Sequence, residues 1–317
     1  MIDRRIIFIL EPFTSPYGGV GVIYRHAEIL ADSGIPVFVA LSQKPVVDFY
    51  NTRAPLMIHG GEIKFELGDV VVIPEGIPKW MRTLESAPIK RIMFCQNQYY
   101  LPFTDNPKAG FAEFAVNGVI ASSEAVRAFF KEVYNLADVP VIPYAIDPTM
   151  YFAKPAKRRQ IVFMPRKLKY DAAFIRAAFS RKYVRYADVP WVAIDMKTQH
   201  EAAEIMAESD IFLSLSHQES FGLPPLEAMA CGCLVAGFHG DGGREYMTSA
   251  NGWWAETGDW QACVDGLAGA LDLLKTGGAA LVERRKAMAA TVDQYSPARM
   301  KEALLTFWRN ELATPFI

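Results

Sequence analysis

Short apolar runs recur along this chain, and they are continuous rather than alternating. In the first part they are Ile6-Ile-Phe-Ile-Leu10, Val37-Phe-Val-Ala-Leu41, Val70-Val-Val-Ile73, Arg91-Ile-Met-Phe-Cys95 and Val119-Ile-Ala121. A second series follows at Ile161-Val-Phe-Met164, Trp191-Val-Ala-Ile194, Ile211-Phe-Leu-Ser-Leu215 and Leu234-Val-Ala236. A strand with one wet face alternates; a run that is apolar throughout is buried on both faces, as in a parallel sheet covered by helices. Helical spacing lies between the runs, as in Val20, Ile23, Ala27, Leu30 and Ala31, closed by Gly34. The pattern predicts an α/β chain of doubly wound parallel sheets.

Between the two series stands Val139-Pro-Val-Ile-Pro-Tyr-Ala-Ile-Asp-Pro148, with three prolines in ten residues. It reads as a last strand running into a stiff link. At 317 residues the chain can bury two cores, which places the domains at 1–145 and 146–317. Near the end, Pro297 opens a helix with an apolar stripe of Met300, Leu304, Phe307 and Trp308.

The formal charge of -2 gives no global sign of nucleic-acid binding. Locally, eleven Lys or Arg stand against one acid, Asp171, between Lys154 and Arg185. A solvated basic face explains such a run, and so would a phosphate-rich ligand or an anionic membrane surface. The four cysteines, Cys95, Cys231, Cys233 and Cys263, form no Cys-x-x-Cys pair, and no metal site is expected. With no secretory signal and no apolar run of about 18 residues, the expected location is cytoplasmic, with peripheral contact at the inner face of a membrane left open. The glycines Gly18-Gly19-Val-Gly21 do not fit G-x-G-x-x-G, which argues against a nicotinamide cofactor.

One stretch carries more chemistry than the rest: Ser214-Leu-Ser-His-Gln-Glu-Ser-Phe-Gly-Leu-Pro-Pro-Leu-Glu-Ala-Met-Ala-Cys-Gly232. It reads as strand, loop and helix, with Pro224 and Pro225 in a first turn, where a missing N–H costs nothing. The amides of Ser220, Phe221, Gly222 and Leu223 then form a helix-end anion site suited to phosphate. Glu219 stands on the loop and Glu227 about one turn into the helix, where its carboxylate could accept from a sugar diol. The same spacing also fits an ordinary buried strand-to-helix corner.

Glu219-Ser-Phe-Gly-Leu-Pro-Pro-Leu-Glu227-Ala-Met-Ala-Cys-Gly resembles the signature of the family-four retaining glycosyltransferases. The resemblance implies a GT-B fold: two Rossmann-like domains facing a cleft, the N-terminal one for the acceptor and the C-terminal one for the nucleotide-sugar. It also implies a final helix, 297–312, that crosses back to the N-terminal domain. In that family the helix-end amides hold the donor diphosphate, the second glutamate the ribose and the first the transferred sugar. The glycine-rich loop, here Gly18 and Gly19, faces the donor. This chain departs at Leu234, where the family has proline.

Arg166 and Lys167, after the first strand of the second domain, are positioned to stabilise the diphosphate leaving group, with Lys169 as the alternative to Lys167. No Asp-x-Asp occurs, so no magnesium clamp and no metal cofactor are expected. Many relatives carry a histidine where this chain has Cys95-Gln96-Asn97; Gln96 and Asn97 are left to hold sugar or acceptor by hydrogen bonds. Glu245, in Gly242-Gly-Arg-Glu245, is a further donor contact and is expected to begin a helix. The expected activity is retaining transfer of a sugar from a nucleotide-sugar to a glycan, lipid or small-molecule acceptor. A nucleotide-sugar-binding subunit of a larger enzyme and a nucleotide-sugar epimerase are the alternatives.

Overall fold

The computed structural model describes residues 4–314, which form two compact units: residues 4–144 with 298–314, and Ala145–Pro297. Each is built on one parallel sheet. In the first unit the strands are β1 (Ile6–Ile9), β2 (Val37–Leu41), β3 (Leu56–Ile58), β4 (Val70–Pro74), β5 (Lys90–Cys95) and β6 (Gly118–Ala121). They lie in the order β3-β2-β1-β4-β5-β6. The residues of β1 are all buried, as their unbroken apolar run requires. Helices α1 (Gly18–Asp32), α2 (Pro78–Thr83) and α3 (Glu124–Tyr134) connect the strands. Ser123 accepts the Val126 N–H and caps α3, with Glu124 in its first turn.

The second unit has β7 (Arg158–Phe163), β8 (Trp191–Ala193), β9 (Ser209–Ser216), β10 (Leu234–His239) and β11 (Trp253–Ala255), ordered β11-β10-β9-β7-β8. Its helices are α4 (Lys169–Lys182), α5 (Gln199–Ala207), α6 (Leu223–Ala230), α7 (Trp260–Thr276) and α8 (Gly278–Asp293). Thr198 and Glu201 cap α5 reciprocally, a capping box. The Lys157 ammonium closes the far ends of two helices, donating to the carbonyls of Ala207 at 2.8 Å and Cys231 at 2.6 Å. A cation there satisfies orphan carbonyls and opposes the negative end of each helix dipole.

The last helix, α9 (Pro297–Ala313), buries Met300, Leu304, Leu305 and Trp308. Trp308 is fully buried and meets Phe8 of β1 edge-on at 6.3 Å, and Lys90 pairs with Glu311 at 2.5 Å. Almost all of α9 therefore belongs to the unit that the chain left some 150 residues earlier.

Two expectations about elements are corrected, and two short strands join the sheets besides. The strand expected from Val139 is a single bridge, Ala121 to Val141, because Pro140 and Pro143 have no N–H to give a ladder. The three-residue edges β3 and β11 were not anticipated; they are too short for a periodic signal, and their neighbours β2 and β10 template them. Glu245 ends a 3-10 turn, Gly242–Glu245, rather than beginning a helix.

The basic excess between Lys154 and Arg185 is largely matched by acids from elsewhere in the chain. Lys154 meets Glu204 and Glu208, Arg159 meets Asp188, Lys182 meets Asp265 and Arg185 meets Asp272. Among the described residues no helix is long and apolar enough to cross a membrane.

Candidate functional site

In the second sheet the chain leaves β7 to one side for β8 and returns on the other at β9. The loops after β7 and β9 therefore part, and such a switch point opens a crevice at the carboxyl ends of the strands. A hollow of about 80 Å³ lies there, lined by Met164, Arg166, Lys167, Ser216, Glu219 and Pro224 among others. Two larger hollows, each of about 490 Å³, lie elsewhere: one beside Lys157 and Asp210, the other beside Lys90 and Gly118. Both sit where strands begin, at the edge without the switch-point loops.

The crevice joins residues from the loops that follow two neighbouring strands, β7 and β9. Lys167 Nζ is 2.7 Å from Glu219 Oε1, and both side chains keep about a quarter of their exposure (21% and 27%). Arg166 is exposed at the rim. Lys169, the first residue of α4, is exposed and does not line the hollow, so of the two lysines Lys167 is the one brought to Glu219.

The loop carrying Glu219 is pinned. Gly242 N–H donates to the Glu219 carbonyl at 2.7 Å. A Cβ on Gly242 would lie 1.8 Å from the Ser220 carbonyl carbon and 2.3 Å from the Phe221 nitrogen, so only glycine fits. The Ser220–Phe221 peptide is thus covered, and both residues are buried. The Phe221 ring packs on Tyr246 and Tyr295 at about 5 Å, and the Tyr246 hydroxyl donates to the Gly222 carbonyl. That leaves Gly222, buried, and Leu223, half-buried, at the start of α6. Gly222 is the N-cap, at φ 83°, and no side chain caps this end. Gln218 also has positive φ, 48°, an uncommon posture for a side-chain-bearing residue.

Glu227 stands one turn into α6. It keeps partial exposure, yet burial of its carboxyl pushes the pKa up to about 7. The opposing influence is a hydrogen bond from the Tyr151 hydroxyl. Tyr151 is 5% exposed, and its oxygen accepts from the Gln199 side chain. The result is a directed relay from Gln199 to Tyr151 to Glu227. Nothing in the local sequence marks Tyr151: it follows the Pro-rich link and reads as packing.

The first unit holds the expected residues Gly18, Gly19, Gln96 and Asn97. Gln96 and Asn97 follow β5; Gln96 Nε2 donates to the Gly19 carbonyl at 3.1 Å, and Asn97 is buried with its Oδ1 accepting Tyr99 N–H at 3.2 Å. Gly18 and Gly19 are the first two residues of α1 rather than the end of a loop. Glu245 is exposed in the second unit, where Tyr295 donates to it at 3.4 Å. Of the histidines, His26 is buried against Phe8 and Phe94, and burial lowers its pKa to about 3, so it is a neutral core residue. His239, unassigned from sequence, ends β10 with Nε2 3.3 Å from Glu256, which also binds Arg244 through both oxygens. Among the described residues no group of three or more His, Cys, Asp or Glu is arranged to hold a metal ion.

Residues 194–293 match the family Glycosyl transferases group 1. That segment contains β9, α6, Glu219 and Glu227. Over 305 residues the chain is 28% identical to an alpha-1,6-glucosyltransferase of Actinobacillus pleuropneumoniae, covering 90% of this chain and 91% of that one. Over a shorter 78 residues it is 42% identical to N-acetyl-alpha-D-glucosaminyl L-malate synthase of Bacillus anthracis, covering 24% and 20% of the two chains. Among solved structures it is similar to a glycosyltransferase from Rickettsia africae (TM-score 0.75, 15% identity, 99% and 100% of the two chains). It is also similar to Anabaena HepE in complex with UDP-glucose (TM-score 0.70, 15% identity, 96% and 99%). The fold is GT-B.

Proposed function

We propose that this glycosyltransferase is retaining, metal-independent and specific for a nucleotide-diphosphate-sugar bound at the β7–β9 crevice. One observation supports the reading above the others: Arg166, Lys167 and Glu219 surround one hollow beside the uncapped start of α6, with Glu227 a turn further in. Arg166, Lys167 and the Gly222–Leu223 amides take the diphosphate, Glu227 the ribose and Glu219 the sugar. Lys167 is then shared between Glu219 and phosphate. As the anomeric carbon–oxygen bond breaks, negative charge collects on the departing phosphate, where fixed cations stabilise the transition state more than the ground state. The acceptor oxygen bonds to the anomeric carbon on the same face, and its proton passes to the departing phosphate oxygen, so no side-chain base is required. The acceptor is taken by the N-terminal unit.

Calorimetry with UDP, ADP and GDP, followed by turnover of the matching glucose donors, tests this. UDP-glucose comes first because a glucosyltransferase and a UDP-glucose complex are among the similar proteins. Binding of one nucleoside diphosphate, and release of product with the donor's anomeric configuration, is the expected result. A chain that interconverts donor sugars without an acceptor, or binds none of the three nucleotides, sinks the reading.

A further inference from the structure

The first sheet has a switch point of its own. The chain leaves β1 toward β2 and returns on the other side at β4, so the loops after β1 and β4 part. Glu75 directly follows β4 and is 5% exposed. Its carboxylate accepts the Gln96 N–H at 3.1 Å, and the amides of Asn97 and of Glu75 itself also point to it.

Gln96 is held from every side. Its Nε2 donates to Gly19 at 3.1 Å, and its carbonyl accepts from Ser122 Oγ at 3.4 Å and from the Tyr144 hydroxyl at 3.5 Å. A Cβ on Gly19 would come within 2.9 Å of that amide nitrogen, so glycine permits the approach. In this posture Gln96 Oε1 is buried and has no hydrogen-bond partner among the described residues. A buried acceptor left unmatched is disfavoured, so the posture is imposed by the neighbours and not by the side chain's own bonding.

We propose that Glu75 is a positioning residue: its carboxylate locks the Gln96–Asn97 turn, and the turn holds an acceptor hydroxyl, which donates to Gln96 Oε1. The second half rests on the glycosyltransferase reading above; the first does not. Two influences oppose each other at Glu75: burial disfavours its charge, and three amides favour it. Cys95, on β5, is the titratable group coupled to it, and burial holds that thiol well above its ordinary range, so it stays neutral. The lock is therefore set by the charge of Glu75 alone.

The test follows the backbone amides of Gln96 and Asn97 by nitrogen-15 NMR of the full chain across neutral pH. Both should titrate together in the wild type and cease to titrate in Glu75→Gln, whose amide oxygen still accepts but carries no charge. Glucose, titrated in the presence of saturating UDP, probes the acceptor half. Glu75→Gln should weaken it by about fivefold or more while UDP affinity is unchanged, as expected for loss of one hydrogen-bonded posture. Gln96→Ala should show the same loss of glucose binding yet keep the Asn97 titration. Amides that do not titrate, or that titrate alike in Glu75→Gln, overturn the lock. Unchanged glucose binding in both variants overturns the acceptor role. A wild type that binds no nucleotide overturns the functional reading, and the amide titration still decides the lock.

Discussion

The two sheets offer a controlled comparison. Both are parallel, both have a switch point, and each places a glutamate beside it, buried Glu75 in the first and half-buried Glu227 in the second, with burial of the carboxyl raising each pKa to about 7. What surrounds the glutamates differs. Around Glu75 the partners are backbone amides and a neutral glutamine. The second crevice adds two cations, Arg166 and Lys167, and an uncapped helix start. Fixed positive charge suits a diphosphate, whereas amides and a carboxamide suit neutral hydroxyls. Similar topology thus carries different local chemistry because the loops, and not the sheets, carry the charge.

The sharpest way to break this comparison is Glu219→Gln. With its carboxylate near the anomeric carbon, kcat should fall by roughly 10²-fold or more, while binding of the nucleoside diphosphate stays near wild type. Loss of nucleotide binding instead would show that the Lys167–Glu219 pair serves the phosphates and that the donor lies reversed.

Next in size is Arg166→Ala. Nucleoside diphosphate binding should weaken by about 1.5–3 kcal/mol, the typical worth of a charge-assisted hydrogen bond, with nucleoside binding nearly unchanged. Calorimetry on the two ligands decides it; equal losses would remove Arg166 from the phosphates.

A smaller effect is expected of Tyr151→Phe, about 1 kcal/mol in nucleotide affinity, the common value for one neutral hydrogen bond. The direction of the pH dependence is more telling. The Tyr151 hydrogen bond lowers the Glu227 pKa, so its removal should raise the midpoint below which nucleotide binding weakens. A variant with reduced affinity but an unmoved midpoint would make Tyr151 a packing residue only.

Both glutamates should also show in stability. Burial raises each folded pKa to about 7, against an ordinary value of 4.5. A group that holds its proton more tightly when folded stabilises fully below the unfolded pKa and loses that contribution as pH rises through the folded one. The melting temperature should therefore fall, on the order of a few degrees, between about pH 4.5 and 7.5. The double variant Glu75→Gln, Glu227→Gln should flatten that slope; an unchanged slope would place the titration elsewhere. The smallest expected effect is none: exhaustive chelation should leave activity intact, and rescue by magnesium or manganese would show that the cations do not suffice.

Local pattern made much of this legible. Continuous apolar runs announced two parallel sheets, and the segment Glu219 to Glu227 announced its strand, corner and helix, because burial and proline act on near neighbours in sequence. The short edges β3 and β11 escaped, since three residues cannot display a period and their pairing is chosen by the strand beside them. Nothing in the sequence marks the role of Gly242, which is to cover the Ser220–Phe221 peptide.

By itself, then, the sequence determined the α/β class, the position of the strand-to-helix corner between β9 and α6, and the candidate charges around it. Tertiary structure alone decided that Lys167 and not Lys169 meets Glu219, that Tyr151 directs Glu227, and that Glu75 reaches across to the turn after β5. It also matched the basic run with acids from Asp188 to Asp272. The reason is distance along the chain. Propensity, capping and hydrophobic period act over a few residues, whereas these contacts join partners that lie 21 to 87 residues apart for Gln96–Glu75 and Arg185–Asp272, and only the order of strands in a sheet brings such groups within reach.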